Sequence, residues 1–248
     1  MINKSIMMDY VYRQLAIDYN CSPDDFLKDG LIFTEAKKNE GRRPFPFSTP
    51  SLQLIRMGSS VIICASDDIL LHVREHFFGK TCDEAFWSPL IHHTNPYFLP
   101  DIDRIAPLDK PGGFEYEIVE RDTMHRLYEA DGFQHNALSY DINHLRPDMI
   151  ATVVKHNNEI VGVAGASADC KTMWQIGVDV LSPYRGKGLA AILVNMLTLE
   201  ILKKGYVPYY GTSDSNVMSM RVAVKAGYIP SWVLCYKTKL DGIIKTIS

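Results

Sequence analysis

The residues best suited to chemistry lie in one run, Gln175-Ile176-Gly177-Val178-Asp179-Val180-Leu181-Ser182-Pro183-Tyr184-Arg185-Gly186-Lys187-Gly188-Leu189-Ala190. An apolar stretch reads as a strand, breaks at Ser182-Pro183, and passes two glycines into a long apolar stretch that reads as a helix. A helix start leaves its first N–H groups without intrahelical acceptors, at the positive end of the helix dipole. The backbone of Arg185, Gly186, Lys187, Gly188, Leu189 and Ala190 is therefore an expected anion site. Its glycines remove the side chains that would keep a diphosphate away. Asp179 stands on the strand before it, and alternation puts it on the opposite sheet face from Val178 and Val180. A carboxylate there suits an amine nucleophile. An amine of pKa ~10.4 is ionised at neutral pH, and freeing it costs about 4.6 kcal/mol unless a base takes the proton.

Two other patterns compete. Gly186-x-Gly188-x-x-Ala191 fits the dinucleotide-binding GxGxxA form. In that fold the strand runs straight into the first glycine, and an acid ends the next strand. Here Ser182-Pro183-Tyr184-Arg185 intervenes and the next strand ends in Tyr209-Tyr210-Gly211, so the reading is set aside. His72-Val73-Arg74-Glu75-His76 matches the HxxEH spacing of inverted zinc peptidases. Both histidines flank an apolar face of Ile69, Val73 and Phe77, and no third ligand follows at helical spacing. An amphipathic helix is the expectation, and no metal.

Arg185-x-x-Gly188-x-Ala190 resembles the acyl-CoA pyrophosphate signature of the GNAT acetyltransferase superfamily, Gln/Arg-x-x-Gly-x-Gly/Ala. Asn216-x-x-Ser219 followed by Lys225-Ala226-Gly227-Tyr228 resembles that family's second block, an Asn-initiated helix closing in Gly-aromatic. The likeness spans roughly 114–239 and is densest over 174–230. It implies an N-acetyltransferase that uses acetyl-CoA as co-substrate, with an amine attacking directly in a ternary complex. By the same resemblance, amides from Arg185 to Ala190 hold the pyrophosphate, and Val180 and Leu181 pair with the pantetheine arm. Asn216 touches that arm, Lys225 approaches the adenosine phosphates, and Asp179 is the leading base. The family's usual proton donor to the leaving thiolate is a Tyr seven residues after the Asn, and here that position is Ala223. Ser219, Tyr184 and Tyr228 are the candidate substitutes. The same departure keeps a non-catalytic acyl-CoA sensor as the alternative.

These residues need a scaffold. The run from Met149 to Ala166 alternates around Asn157-Asn158-Glu159 and reads as a hairpin. Strands are also expected at 114–119, 174–180, 206–211 and 232–238, with helical patterns from about 120 to 143 and helices at 188–204 and 216–226. Before them, 8–19 reads as a helix. Leu52–Met57 and Val61–Ala65 read as a second hairpin, and Ser66 caps a helix through Phe78. The stretch 88–113 holds five prolines and reads as an irregular crossing segment. A mixed α/β fold is expected, with an N-terminal α+β region over 1–110 and an acetyltransferase domain over 111–248.

The chain has 248 residues, 46% of them hydrophobic, which is ample for a buried core. A net charge of −3 gives no footprint for nucleic acid. Five cysteines without a CxxC pair read as reduced thiols. The apolar run 189–202 is shorter than the ~20 residues that span a bilayer. A cytoplasmic protein is expected, free of membrane and nucleic acid, acting on a small-molecule or peptide amine and compatible with a homodimer.

Overall fold

The computed structural model describes residues 2–44, 51–91, 93–133, 135–139 and 144–237. In chain order the elements are α1 (Lys4–Tyr19), β1 (Gly30–Glu35), β2 (Leu52–Met57), β3 (Ser60–Ala65), α2 (Asp67–Phe77), α3 (Cys82–Phe86) and β4 (Thr94–Pro100). Then come β5 (Glu115–Glu120), β6 (Asp148–His156), β7 (Glu159–Ala168), β8 (Met173–Val180), α4 (Leu189–Lys203), β9 (Val207–Gly211), α5 (Val217–Lys225) and β10 (Tyr228–Lys237). This is the expected mixed α/β class.

The local differences have local causes. Helix α1 begins four residues before Met8 because Asn3 Oδ1 accepts the Ile6 N–H at 2.9 Å, a cap placed ahead of the periodic run. The segment read as an irregular crossing contains β4, whose Pro96 and Pro100 mask it as loop. The helical pattern after β5 is only a 3-10 helix, Arg121–Leu127, followed by turns. Gln134 and residues 140–143 of that pattern lie outside the described residues, as does Thr238 at the end of the last strand.

Two compact units share the chain, and neither is a continuous stretch. One comprises 1–10, 98–211 and 216–230; the other comprises 11–97, 212–215 and 231–248. In the first, the strand order is β9-β8-β7-β6-β5, antiparallel except for the parallel pair β8/β9. Helix α4 buries Leu189, Leu193, Val194, Leu197 and Ile201 against Ile150, Val154, Ala164, Ile176 and Val180. Each such fully buried side chain contributes about 1.5–3 kcal/mol, which fixes the start of α4 firmly. The buried Asn195 inside this apolar helix is satisfied three times: Nδ2 donates to Ala106 and Ala226 carbonyls at 3.0 Å, and Oδ1 accepts from Leu108 N–H at 3.1 Å. The opposite sheet face is covered by Met124, Leu127, Phe133, Ala137 and Leu138 over Ala151, Val153 and Val163.

In the second unit β1 pairs β3 in parallel, while β2 pairs β3 and β10 antiparallel, so the expected 52–65 hairpin is present. Helix α2 covers it through Ile69, Val73 and Phe77. His76 Nε2 lies 2.9 Å from Ser88 Oγ and 3.2 Å from Lys80 Nζ, and His72 is exposed. Among the described residues no group of three His, Cys, Asp or Glu is placed to hold a metal ion, and no helix is long and apolar enough to cross a membrane.

Candidate functional site

Every residue of the expected acyl-CoA site falls in the first unit. Strand β8 pairs with β9 only from Met173–Val207 to Ile176–Tyr210, yet with β7 all the way to Val180. Residues Gly177 to Val180 thus have one paired edge and one open edge. The hydrogen-bond phase decides which groups face the opening. Leu181 N–H donates to the Val161 carbonyl at 3.0 Å, so Leu181 and Asp179 point toward β7. Val178 and Val180 then point away, toward the gap. The Leu181 carbonyl is also spent, accepting from Tyr184 N–H at 2.9 Å. Of the two residues expected to meet the pantetheine arm, Val180 keeps its amide for a ligand and Leu181 does not. Arg185 reaches back along this edge, its Nε donating to the Val180 carbonyl at 2.9 Å.

Beyond the short 3-10 turn Ser182–Tyr184 the chain reaches Gly186 and Gly188, both left-handed with φ of 80° and 82°. Gly188 is the N-cap of α4 and offers no side chain to cap it. The first intrahelical bond runs from Ile192 N–H to the Gly188 carbonyl at 3.2 Å. Leu189, Ala190 and Ala191 therefore begin the helix with amides lacking intrahelical acceptors. A Cβ built on Gly186 or Gly188 meets nothing within 4 Å. Left-handed glycines on either side of Lys187, with open space where a Cβ would stand, leave room for a phosphate close to the backbone of a helix start. Arg185 is less free than expected, since its N–H bonds the Ser182 carbonyl at 3.3 Å. Lys187 and Lys225 are exposed.

Asn216 Oδ1 caps α5 by accepting the Ser219 N–H at 3.1 Å. That leaves its amide nitrogen for any ligand. Ser219 Oγ pairs with the Tyr210 hydroxyl at 2.8 Å. Tyr210 forms the last pair before β8 and β9 part, so the residue that carries this hydroxyl is anchored at the apex of the gap. Burial raises the Tyr210 pKa above its ordinary value, partly opposed by the bond to Ser219, so the phenol keeps its proton at neutral pH. Nothing in the sequence separates Tyr210 from Tyr209. Strand alternation does: Tyr209 turns to the other face and bonds Asp169.

The remaining acid candidates are occupied elsewhere. Tyr228 lies in the core with its hydroxyl 2.6 Å from Thr198 Oγ1, and Ala223 is fully buried. Tyr184 is grouped with His156 and Phe114, its hydroxyl 3.4 Å from His156 Nδ1. Asp179 differs most from expectation. Its Oδ2 accepts the N–H groups of Asn136 and Ala137, and its Oδ1 the Asn136 side-chain amide, each at 2.8 Å.

Residues 129–233 match the family model for the GNAT acetyltransferase. No curated protein matches the chain. Among solved structures it is similar to a GNAT-family protein from Novosphingobium aromaticivorans (18% identity, 60% of this chain and 67% of that one, TM-score 0.41). It is also similar to a GCN5-related N-acetyltransferase-like protein from Streptococcus suis (17% identity, 95% and 99%, TM-score 0.47). A third is the Salmonella typhimurium yncA protein, solved with its cofactor acetyl-CoA (16% identity, 50% and 92%, TM-score 0.38). The likeness to that family is carried by the matched segment, residues 129–233, which is less than half of the chain.

Proposed function

We propose that the domain transfers the acetyl group of acetyl-CoA to a primary amine of a small molecule or peptide. The observation that carries this is the pair of left-handed glycines, open above, at an uncapped helix start beside the open edge of β8. A pyrophosphate fits the amides of Gly186, Lys187, Gly188, Leu189 and Ala190, with Arg185 bracing the turn through the Val180 carbonyl. An amide-bearing chain fits the edge at Val178 and Val180, with Asn216 and Lys225 on α5 as further contacts. Acetyl-CoA supplies a thioester, whose carbonyl carbon accepts a nucleophile and whose thiolate leaves.

The protein's share is positioning, polarisation and proton supply. An N–H facing the gap, Val180's by hydrogen-bond phase, suits a carbonyl oxygen that gains charge as the amine adds. The Tyr210–Ser219 hydroxyl pair is the proposed proton source for the departing thiolate, in place of a tyrosine at 223. A thiol of pKa ~8.5 leaves readily, so one well-placed donor suffices. Calorimetry with acetyl-CoA, followed by thiol release in the presence of spermidine, kanamycin or a lysine peptide, tests the reading. Binding plus amine-dependent thiol release is expected; no binding removes the reading. Binding without release under any amine turns the site into a sensor.

A further inference from the structure

We propose that Asp179 is a positioning residue that locks the described residues of segment 132–137, all but Gln134, into a rigid wall on the sheet face over β7 and β8, beside the stretch of β8 whose other edge is open, on the acceptor side of the site. Its described residues have no helix or strand of their own, yet they are held at both ends. A Cβ on Gly132 would lie 3.0 Å from Leu181 Cδ2. One on Gly177 would lie 1.8 Å from the Asn136 carbonyl oxygen, and one on Gly165 would lie 1.9 Å from that of Ala137. Gly165 and Gly177 are direct cross-strand partners on β7 and β8. The backbone of 136–137 therefore lies flat on a two-glycine seat that no other residue type leaves free. Following the contacts, the segment runs down β8 from Leu181 to Gly177, the same residues whose far edge is open.

Asp179 supplies the clamp. Two consecutive backbone N–H groups converge on Oδ2 and a side-chain amide reaches Oδ1. A second carboxylate closes the segment's other end: buried Asp148 accepts from Ser139 N–H at 3.0 Å, Ser139 Oγ at 2.8 Å and the Tyr128 hydroxyl at 2.9 Å. Phe133, Ala137 and Leu138 are buried beneath, while His135 and Asn136 are exposed. Such an arrangement spends the Asp179 carboxylate. Three of its roughly four lone-pair positions are filled by donors. An asparagine would turn its own NH2 against one of those donors.

The word acceptor rests on the acyltransfer reading; the clamp does not. Asp179→Asn and Gly177→Ala in the full chain test both. Hydrogen exchange at the Asn136 and Ala137 amides is expected to speed up about tenfold or more in each variant. Calorimetric acetyl-CoA affinity should stay within about twofold, while KM for the best of spermidine, kanamycin or a lysine peptide rises about tenfold. The pH profile of kcat/KM should keep its wild-type limbs. Unchanged exchange in Asp179→Asn overturns the clamp, and should Gly177→Ala fail to fold, Asp179→Asn decides alone. A lost limb of the pH profile with KM unaltered makes Asp179 a base and overturns the proposal. Absence of acetyl-CoA binding by the wild type defeats the acyltransfer reading and the acceptor assignment together, with exchange still reporting the clamp. Binding without acetylation of any of the three amines also overturns the acceptor assignment.

Discussion

Replacing Gly188 separates backbone strain from ligand exclusion, because the same helix carries a matched control. Gly188 opens α4 with φ of 82°; Gly205, just past its end, has φ of 84°. Both are exposed, and a Cβ on either meets nothing within 4 Å. An alanine at either position pays the left-handed penalty of roughly 1–2 kcal/mol and nothing for a clash. Both variants should therefore melt lower by a similar margin, about 2–8 °C for a chain of this size. Acetyl-CoA affinity should fall only for Gly188→Ala, since only there does the Cβ enter the proposed phosphate space. Gly188→Glu adds a charge. Two unit charges 5 Å apart repel by about 0.8 kcal/mol at the dielectric of water and about 3.3 kcal/mol at an effective value of 20. The added loss is thus roughly fourfold to 250-fold in Kd. Calorimetry with acetyl-CoA reads the affinity and scanning calorimetry the stability. If Gly188→Glu binds within twofold of wild type, or Gly205→Ala loses as much affinity as Gly188→Ala, the phosphate site is not at this turn.

Two further outcomes are expected. Tyr210→Phe keeps the ring packed against Tyr228 and removes the hydroxyl paired with Ser219; kcat should fall by about 10²-fold, the low end for a general acid, with acetyl-CoA affinity retained, whereas an unchanged kcat excludes the pair as proton source. Burial raises the pKa of both Tyr210 and Tyr228, so their unfolded counterparts ionise first, near pH 10. Folding stability should be insensitive to these groups below about pH 10 and fall as pH rises beyond it, because the unfolded chain then binds fewer protons. Denaturation midpoints across that range check the sign, and a midpoint that holds steady would contradict it.

The strand-turn-helix junction was legible from residue order because its causes are local. Proline and two glycines permit few backbone paths, and a mostly apolar run after them makes a buried helix whose first turn stays uncapped. Helix α5 was legible for the same reason, since Asn216 and Gly227 mark its ends. Other features depend on groups far apart in the chain. Whether Val180 or Leu181 turns its amide to the gap depends on which hydrogen-bond phase β7 imposes. Tyr210 meets Ser219 only because β9 and α5 are packed together. Asn136 and Ala137 fell within a helical pattern; their backbone is instead laid flat over a glycine pair on two strands and held by Asp179, more than forty positions away. Residue types state what a backbone can do locally. Which of its polar groups remain free for a ligand is settled only after the sheet has taken its share of them.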